Sequence, residues 1–384
     1  MSPELTRKPE AFQVSFMPWA GIEKEIKLGP VTFWPFSTQA SERVGDKAIR
    51  EHLERNFRCY VDHKGNPINT VTVCSHGLSD FRQLSPVEAD ETRAAVDALI
   101  FSIVCRATNA TVCANNKSMG PPSAERYQLI TQNFRPGEDD IAVRAGSVLS
   151  GGWKIGEIFF PMPWSTGGAF ASPDSRVLEA FSKTPESGFL VEGKERLFRS
   201  LEWFRLAHVE SDDVSVLSKV VMMATAFEIV LGVPNVRDKS GWVADEVAGR
   251  CSEPESLPET RKGKKGKDQT RPKIGWWAWD FYKLRNAIVH GDTIQQGQLR
   301  FQSIERTWLT HLIVADLVLR ELVMRELYRY GCVGENIRKC AAECDKILPG
   351  TAESRHASWC LGFDDVHRAL GWLPERTSSR RGQA

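Results

Sequence analysis

No charge of either sign dominates this chain: 50 lysines and arginines stand against 49 aspartates and glutamates, a net charge of +1. That excludes a global basic field of the kind that gathers nucleic acid, so any such site is local. Long apolar runs are missing as well. The most apolar stretch, LIVADLVLRELVM at 312–324, is broken by Asp316, Arg320 and Glu321, which excludes a bilayer span. The N-terminal MSPELTRKPEAF has no apolar core of a secretory signal. Nine cysteines are scattered without the short, dense spacing of a secreted disulfide framework. Together these absences predict a soluble protein of the reducing cytoplasm with no membrane partner. The chain also lacks internal repeats, a phosphate-cradling glycine loop, a nucleophile elbow and an acidic cluster at metal-nuclease spacing. Nucleotide hydrolysis, esterase chemistry and metal-dependent nuclease chemistry are thereby left without their usual signatures.

What is there supports real cores. At 384 residues and 41% apolar content the chain has room for two or three domains of about 150 residues each. The first part, over 1–188, reads as an α+β domain of mixed strands and helices with a sensing or gating role. VTFWPF at 31–36 reads as a strand. FRCYVDH and INTVTVCSH flank the turn KGNP in the pattern of a β-hairpin. Ser85, Pro86 and Glu88 make a capping box with proline at the first helical position, opening a helix that the pattern carries to about Arg106. Glycine and proline around KIGEIFFPMPW predict loops and one strand over 145–175. His52, His63 and His76 have no partners at useful spacing and read as ordinary.

From about Leu190 the pattern turns to long helices. Leu197, Leu201, Phe204 and His208 recur at helical spacing. The run SDD caps a second helix, VSVLSKVVMMATAFEIVLG, which stops at Gly232. A shorter helix, GWVADEVAGR, follows. About 252–273, without apolar periodicity, reads as a disordered basic insertion. Beyond it come a helix over 276–290 and one of some thirty residues from about Phe301 to Tyr330. Helices of this length with short connections make an all-α antiparallel bundle over 189–330. A helical extension and polar tail fill 331–384.

The stretch FYKLRNAIVHGD, at 281–292, carries the chemistry. Asn286 and His290 are four apart and share a helix face. Arg285 lies about 140° from His290, a gap its long side chain can bridge. A histidine titrates near neutrality and can move a proton. An arginine offers a forked, permanent positive charge to phosphate oxygens and to the charge of a transition state. An asparagine can orient either partner. No metal or other cofactor is required if the nucleophile is the ribose 2′-hydroxyl of RNA. Upstream, only Thr225 and Glu228 are polar between Val220 and Leu231, so the Glu228 carboxylate needs a partner. Arg285 is one candidate and a lysine at the bundle surface the other.

The run YKLRNAIVHG, an Arg-Asn-x-x-x-His signature followed by glycine, resembles the motif of HEPN domains. With the preceding helix ATAFEIVLG it is similar to the ApeA-like HEPN group in particular. The resemblance covers roughly 190–330. It implies a helical bundle that pairs, so that two copies of the motif face each other across a symmetric groove. It implies a metal-independent endoribonuclease of bacterial anti-phage defence, abortive infection or toxin-type growth arrest. Arg285 and His290 become the catalytic pair, Asn286 the orienting residue, and Glu228 and Tyr282 their supports. RNA, with tRNA among the candidates, is the implied substrate. A homodimer is the implied active form, with an antitoxin or activator as a further partner. The rival is a HEPN module without catalysis that dimerises and binds RNA or protein.

Three further patterns carry weaker readings. Seven positive charges from Arg261 to Lys273, among them Lys262, Lys264, Lys265 and Lys267, suit an accessory RNA-gathering loop or a solvated insertion. Trp276, Trp277 and Trp279 could stack bases, but at helical spacing beside a bundle they read as core or dimer-interface residues. Cys340, Cys344, His356 and Cys360 form two i, i+4 pairs that could meet as a tetrahedral zinc site, although the spacing departs from common zinc knuckles.

Overall fold

The computed structural model describes residues 12–37, 41–77, 81–114, 123–135, 138–145, 148–163, 173–184, 191–210, 213–252, 258–263, 266–304, 307–334, 368 and 370. The fold is mixed α/β and divides into two compact units: 1–103 with 123–185, and 104–122 with 186–384. The second unit thus claims a segment from inside the region that the sequence assigns to a contiguous 1–188 domain.

The first unit contains β1 (Phe12–Met17), β2 (Ile26–Leu28), β3 (Val31–Phe36), α1 (Lys47–Phe57), β4 (Tyr60–Val61) and β5 (Val71–His76). Next comes α2 (Pro86–Ala114), within which the division between the units falls, and then β6 (Ile130–Phe134), β7 (Asp140–Ala145), β8 (Val148–Lys154), β9 (Phe160–Pro161) and α3 (Ser175–Ser182). An antiparallel sheet runs in the order β2-β3-β5-β1-β6. Alternation on its strands puts Val14, Phe16, Trp34, Phe36, Val71 and Val73 into one cluster with Ile49, Leu53 and Phe57 of α1. Asp46 starts α1 by accepting from the Ala48 and Ile49 amides at 2.8 and 3.1 Å.

Several expectations change here. The hairpin around KGNP shrinks to a single bridge between Val61 and Pro67, because Phe57 ends a helix and β5 pairs with β1 and β3 instead. The capping box holds, with the Ser85 amide on Glu88 Oε2 at 2.9 Å and the Glu88 amide on Ser85 Oγ at 3.3 Å. The helix it starts runs on to Ala114, past Arg106. In place of one strand in a loop-rich stretch, β8 pairs with β7 and β9 pairs in parallel with β4.

The second unit contains α4 (Val191–Ala207), α5 (Val216–Leu231), α6 (Lys239–Cys251), β10 (Pro258–Lys262), β11 (Asp268–Pro272), α7 (Lys273–Val289), β12 (Arg300–Ile304), β13 (Thr307–Thr310) and α8 (His311–Arg329). Its helices pack through apolar faces. Phe227 of α5 meets Trp277 and Phe281 of α7, with ring centres 5.9 and 5.8 Å apart. Gly275 lets α7 approach α6: a Cβ there would stand 3.0 Å from that of Ala248. Ser215, rather than the SDD run, caps α5 by accepting from the Ser218 amide at 3.1 Å.

The unit is not all-α. Residues 258–262 and 268–272, read from sequence as disordered, form an antiparallel hairpin. Its strands contain no apolar side chain beyond their terminal prolines, so periodicity could not announce them. Their apolar surface is borrowed from α7: Trp276 donates its indole N–H to the Glu259 carbonyl at 2.8 Å, and the Arg261 and Arg271 guanidinium groups lie 5.3 and 5.1 Å from its ring. The expected thirty-residue helix is also corrected. Residues 301–304 and 307–310 of it lie in the paired strands β12 and β13, and α8 begins at His311, after Thr310 accepts from the Ile313 amide at 3.4 Å. Buried polar contacts tie this unit together. His208 faces Asp316 at 3.0 Å, and Thr108 donates to the other Asp316 oxygen at 2.9 Å. Burial pushes His208 down, but the Asp316 carboxylate and the Phe204 carbonyl outweigh it and hold the imidazole above its usual value.

Candidate functional site

The residues singled out by sequence lie on the last two turns of α7, facing the end of α5. Both helices stop in the same way. After α7 the Gly291 amide returns to the Ile288 carbonyl at 3.1 Å and the Asp292 amide to the Ala287 carbonyl at 2.9 Å, with Gly291 at φ +79°. This is a Schellman ending, which needs a left-handed residue and so selects glycine. After α5 the Val233 amide returns to the Glu228 carbonyl at 2.9 Å, with Gly232 at φ +68°. These two stops fix where Glu228 and His290 sit within their final turns.

Glu228 is the hub. Its carboxylate accepts from the Tyr282 hydroxyl and lies 3.2 Å from Arg285 Nη2. Lys239, at the start of α6, approaches its other oxygen at 3.8 Å, so both partners that the sequence offered are present. The Arg285 guanidinium also donates to Asn286 Oδ1 at 3.2 Å, and Asn286 Nδ2 donates to the Ser240 hydroxyl at 3.1 Å. The Arg285 charge lies 5.5 Å from the Tyr282 ring. Burial, with the Glu228 carboxylate beside it, pushes the Tyr282 hydroxyl well above its usual value, so it stays protonated and donates. The result is a continuous chain from α6 through α7 to α5 that holds one arginine at 22% side-chain exposure in a fixed orientation.

His290 is apart from this chain. It is exposed at the C-terminal cap of α7, where its backbone amide closes the helix onto the Asn286 carbonyl at 2.9 Å. Among the described residues no side-chain hydrogen bond or ion pair joins it to Arg285 or Asn286. The long arginine side chain therefore does not bridge to the histidine within one chain. It turns to Glu228 instead, because a carboxylate in a mostly apolar helix draws the nearest cation.

The remaining candidates sort themselves by geometry. Trp276 and Trp277 are fully buried and belong to the core, not to a stacking surface. Lys262 pairs across its hairpin with Asp268 at 2.7 Å, and Lys267 is exposed near the turn. Lys264, Lys265, Cys340, Cys344, His356 and Cys360 lie outside the described residues. Among the described residues, no group of three or more histidine, cysteine, aspartate or glutamate side chains is placed to hold a metal ion. None of the described helices is long and apolar enough to cross a membrane. Of the histidines read as ordinary, His52 stacks on Phe134 at 4.2 Å, and His76 pairs with Glu91 at 2.7 Å. Sequence reasoning missed Ser240 and Lys239, because a serine and a lysine opening a helix carry no signal until tertiary contacts bring them to Asn286 and Glu228.

No family model matches the chain, and no curated protein or solved structure matches it either. The chemical meaning of the site rests on its own residues and geometry.

Proposed function

We propose that this protein is a metal-independent endoribonuclease of the HEPN type, active as a homodimer and serving bacterial anti-phage defence or toxin-type growth arrest. The observation that carries the reading is the contact chain Tyr282–Glu228–Arg285–Asn286–Ser240, which ends one turn before an exposed histidine. An arginine oriented in advance stabilises charge that develops on a phosphodiester without reorganising during the reaction. Arg285 and His290 are five residues apart on one helix, a rise of about 7.5 Å and a rotation of about 140°. A two-fold pairing of α7 ends brings each residue toward its copy and assembles what a single chain keeps apart.

In this mechanism the 2′-oxygen attacks phosphorus and the bond from phosphorus to the 5′-oxygen breaks. One His290 accepts the 2′-hydroxyl proton or delivers a proton to the leaving 5′-oxygen, while the paired arginines neutralise the phosphorane-like charge. Asn286, anchored on Ser240, keeps the guanidinium plane in place. The products are a 2′,3′-cyclic phosphate and a 5′-hydroxyl.

A second reading has one observation in its favour. Arg285 already has a carboxylate and an amide as partners, as an arginine with only a structural role would. On that reading the module dimerises and binds RNA or protein without cutting. Incubation of wild type and His290→Ala with tRNA and total RNA in EDTA separates the two. The expected result is cleavage by wild type with cyclic phosphate ends, reduced about 10²- to 10⁴-fold in the variant. Intact RNA with a folded, dimeric wild type favours the binding module, and equal cleavage by both proteins removes His290 from the site.

A further inference from the structure

A cleft of about 590 Å³ opens on a different face of α7 from the one that carries Arg285. Asp280, Lys283, Leu284 and Ala287 line it at i, i+3, i+4 and i+7, a single helical stripe. The two hairpins that interrupt the helical unit form its other walls, through Glu259 and Arg261 of β10 and Arg300 and Phe301 of β12. Lys273 and His311, the first residues of α7 and α8, complete it with Gln298. Its size falls within the range of about 300–1,000 Å³ typical of small-molecule sites.

The lining has two characters. Arg261, Lys273, Lys283 and Arg300 stand against Glu259 and Asp280, an excess of two positive charges. Arg261 engages both carboxylates, 2.8 Å from Glu259 and 3.6 Å from Asp280, and Lys273 approaches Glu259 at 3.9 Å. The second character is flat and apolar. Phe301 and His311 have ring centres 5.8 Å apart, beside Leu284 and Ala287. His311 is 6% exposed, and among the described residues its Nδ1 has no hydrogen-bond partner. Burial pushes its pKa down to about 4, so the ring is neutral at physiological pH and adds no charge to the apolar side of the cleft.

We infer that this cleft binds a nucleoside phosphate, with the phosphate on the excess positive charge and the base against Phe301. A phosphate monoester carries about two negative charges and matches the excess, while a bare anion leaves the aromatic wall unused. The same chemistry is available from a free mononucleotide and from one nucleotide of an RNA strand. Only the RNA source rests on the ribonuclease reading. There the geometry has a consequence, since Ala287 precedes His290 by three residues, a rise of about 4.5 Å. A strand crossing the end of α7 could seat the neighbouring nucleotide in the cleft, which gives cleavage a base preference.

The test is calorimetric titration of the full chain with four ribonucleoside 5′-monophosphates, their nucleosides, inorganic phosphate and an uncleavable 2′-deoxy-substituted oligonucleotide. The variants are Lys283→Glu and Phe301→Leu, with Lys47→Glu on the exposed surface of α1 as control and circular dichroism to verify folding. The expected result is that at least one monophosphate binds about tenfold or more tightly than either phosphate or its nucleoside. Lys283→Glu weakens that binding about tenfold or more, Phe301→Leu by less, and Lys47→Glu not at all. Binding of the monophosphate but not the oligonucleotide supports the free-nucleotide source, whatever becomes of the ribonuclease reading. Competition between the two, or oligonucleotide binding alone that Lys283→Glu weakens, supports the RNA source. The inference is overturned if nothing binds, if phosphate alone binds as well as the nucleotides, or if binding is unchanged in both cleft variants.

Discussion

The two units place their charges differently. In the sheet-bearing unit the core cluster is apolar and the ion pairs lie largely outside it: Arg43 with Glu25, Arg55 with Asp139, and Arg82 with the carboxylate that caps α2, all on side chains at least 20% exposed. In the helical unit charges run through the interior. His208 and Asp316 are below 10% side-chain exposure, Arg271 is 8% exposed where it meets Asp245, and Glu326 is 10% exposed where it meets Arg250. Removing paired charges from water costs several kcal/mol per ion, and hydrophobic replacements of similar shape are often as stable or more so. Stability alone therefore does not account for the second pattern. What such pairs do provide is fixed orientation, and the pair that the candidate chemistry uses, Glu228 with Arg285, lies between the two patterns, at 19% and 22% side-chain exposure.

The largest expected effect breaks the comparison at its sharpest point. Asp316→Ala leaves His208 and the Thr108 hydroxyl buried without their acceptor, and is expected to cost about 3–5 kcal/mol in chemical denaturation. Arg55→Ala in the sheet unit, with 43% of its side chain exposed, is expected to cost below about 1 kcal/mol. Equal losses would show that the two units do not differ in the way described.

Acid provides the next largest test, and here the units resemble each other. His52 in one and His311 in the other are each pushed down to about 4, by burial in both and by Arg55 as well at His52. Because the folded value lies below the unfolded one, the neutral form is favoured in the fold. Each contribution is fully present above about pH 6.5 and is lost as pH falls toward 4, about 3 kcal/mol for a group of this kind. His208 has the opposite sign. Its folded value is raised, so its contribution is complete below about pH 6.5 and is lost as pH rises through the folded value. His311→Phe is expected to flatten the acid limb of a pH–stability curve, and Asp316→Asn to flatten the alkaline one. An unchanged acid limb in His311→Phe would refute the assignment.

A smaller effect sharpens the description of the site. Gly291→Ala places a side chain in open space but at φ +79°, so its cost is backbone strain of about 1 kcal/mol and no clash. If the end of α7 must hold His290 at a set position, this variant is expected to lower RNA cleavage more than that loss of stability lowers the folded fraction. Parallel titration of activity and unfolding checks this.

Much of the molecule was legible in the sequence wherever the signal is local. The capping box at Ser85 and Glu88, the glycine stops at Gly232 and Gly291, and the apolar stripe of α4 are each decided by residues within a few positions of one another. For the same reason the motif helix and its polar residues were placed nearly residue for residue, with Arg285, Asn286 and His290 on the last turns of α7. The sequence also determined that a carboxylate at position 228 needs a partner, because the surrounding helix offers none.

Tertiary structure decided everything that depends on a distant surface. The β10–β11 hairpin exists because Trp276 supplies the apolar contact that its own strands lack, and β5 leaves the turn beside it because β1 and β3 are better partners. The choice of Glu228 over His290 as the neighbour of Arg285 follows from the approach of α5 to α7, as does the cleft from two hairpins closing around one helix stripe. Periodicity records which face of an element is buried. It does not record what covers that face, and in this protein the covering residues determine where the charges point.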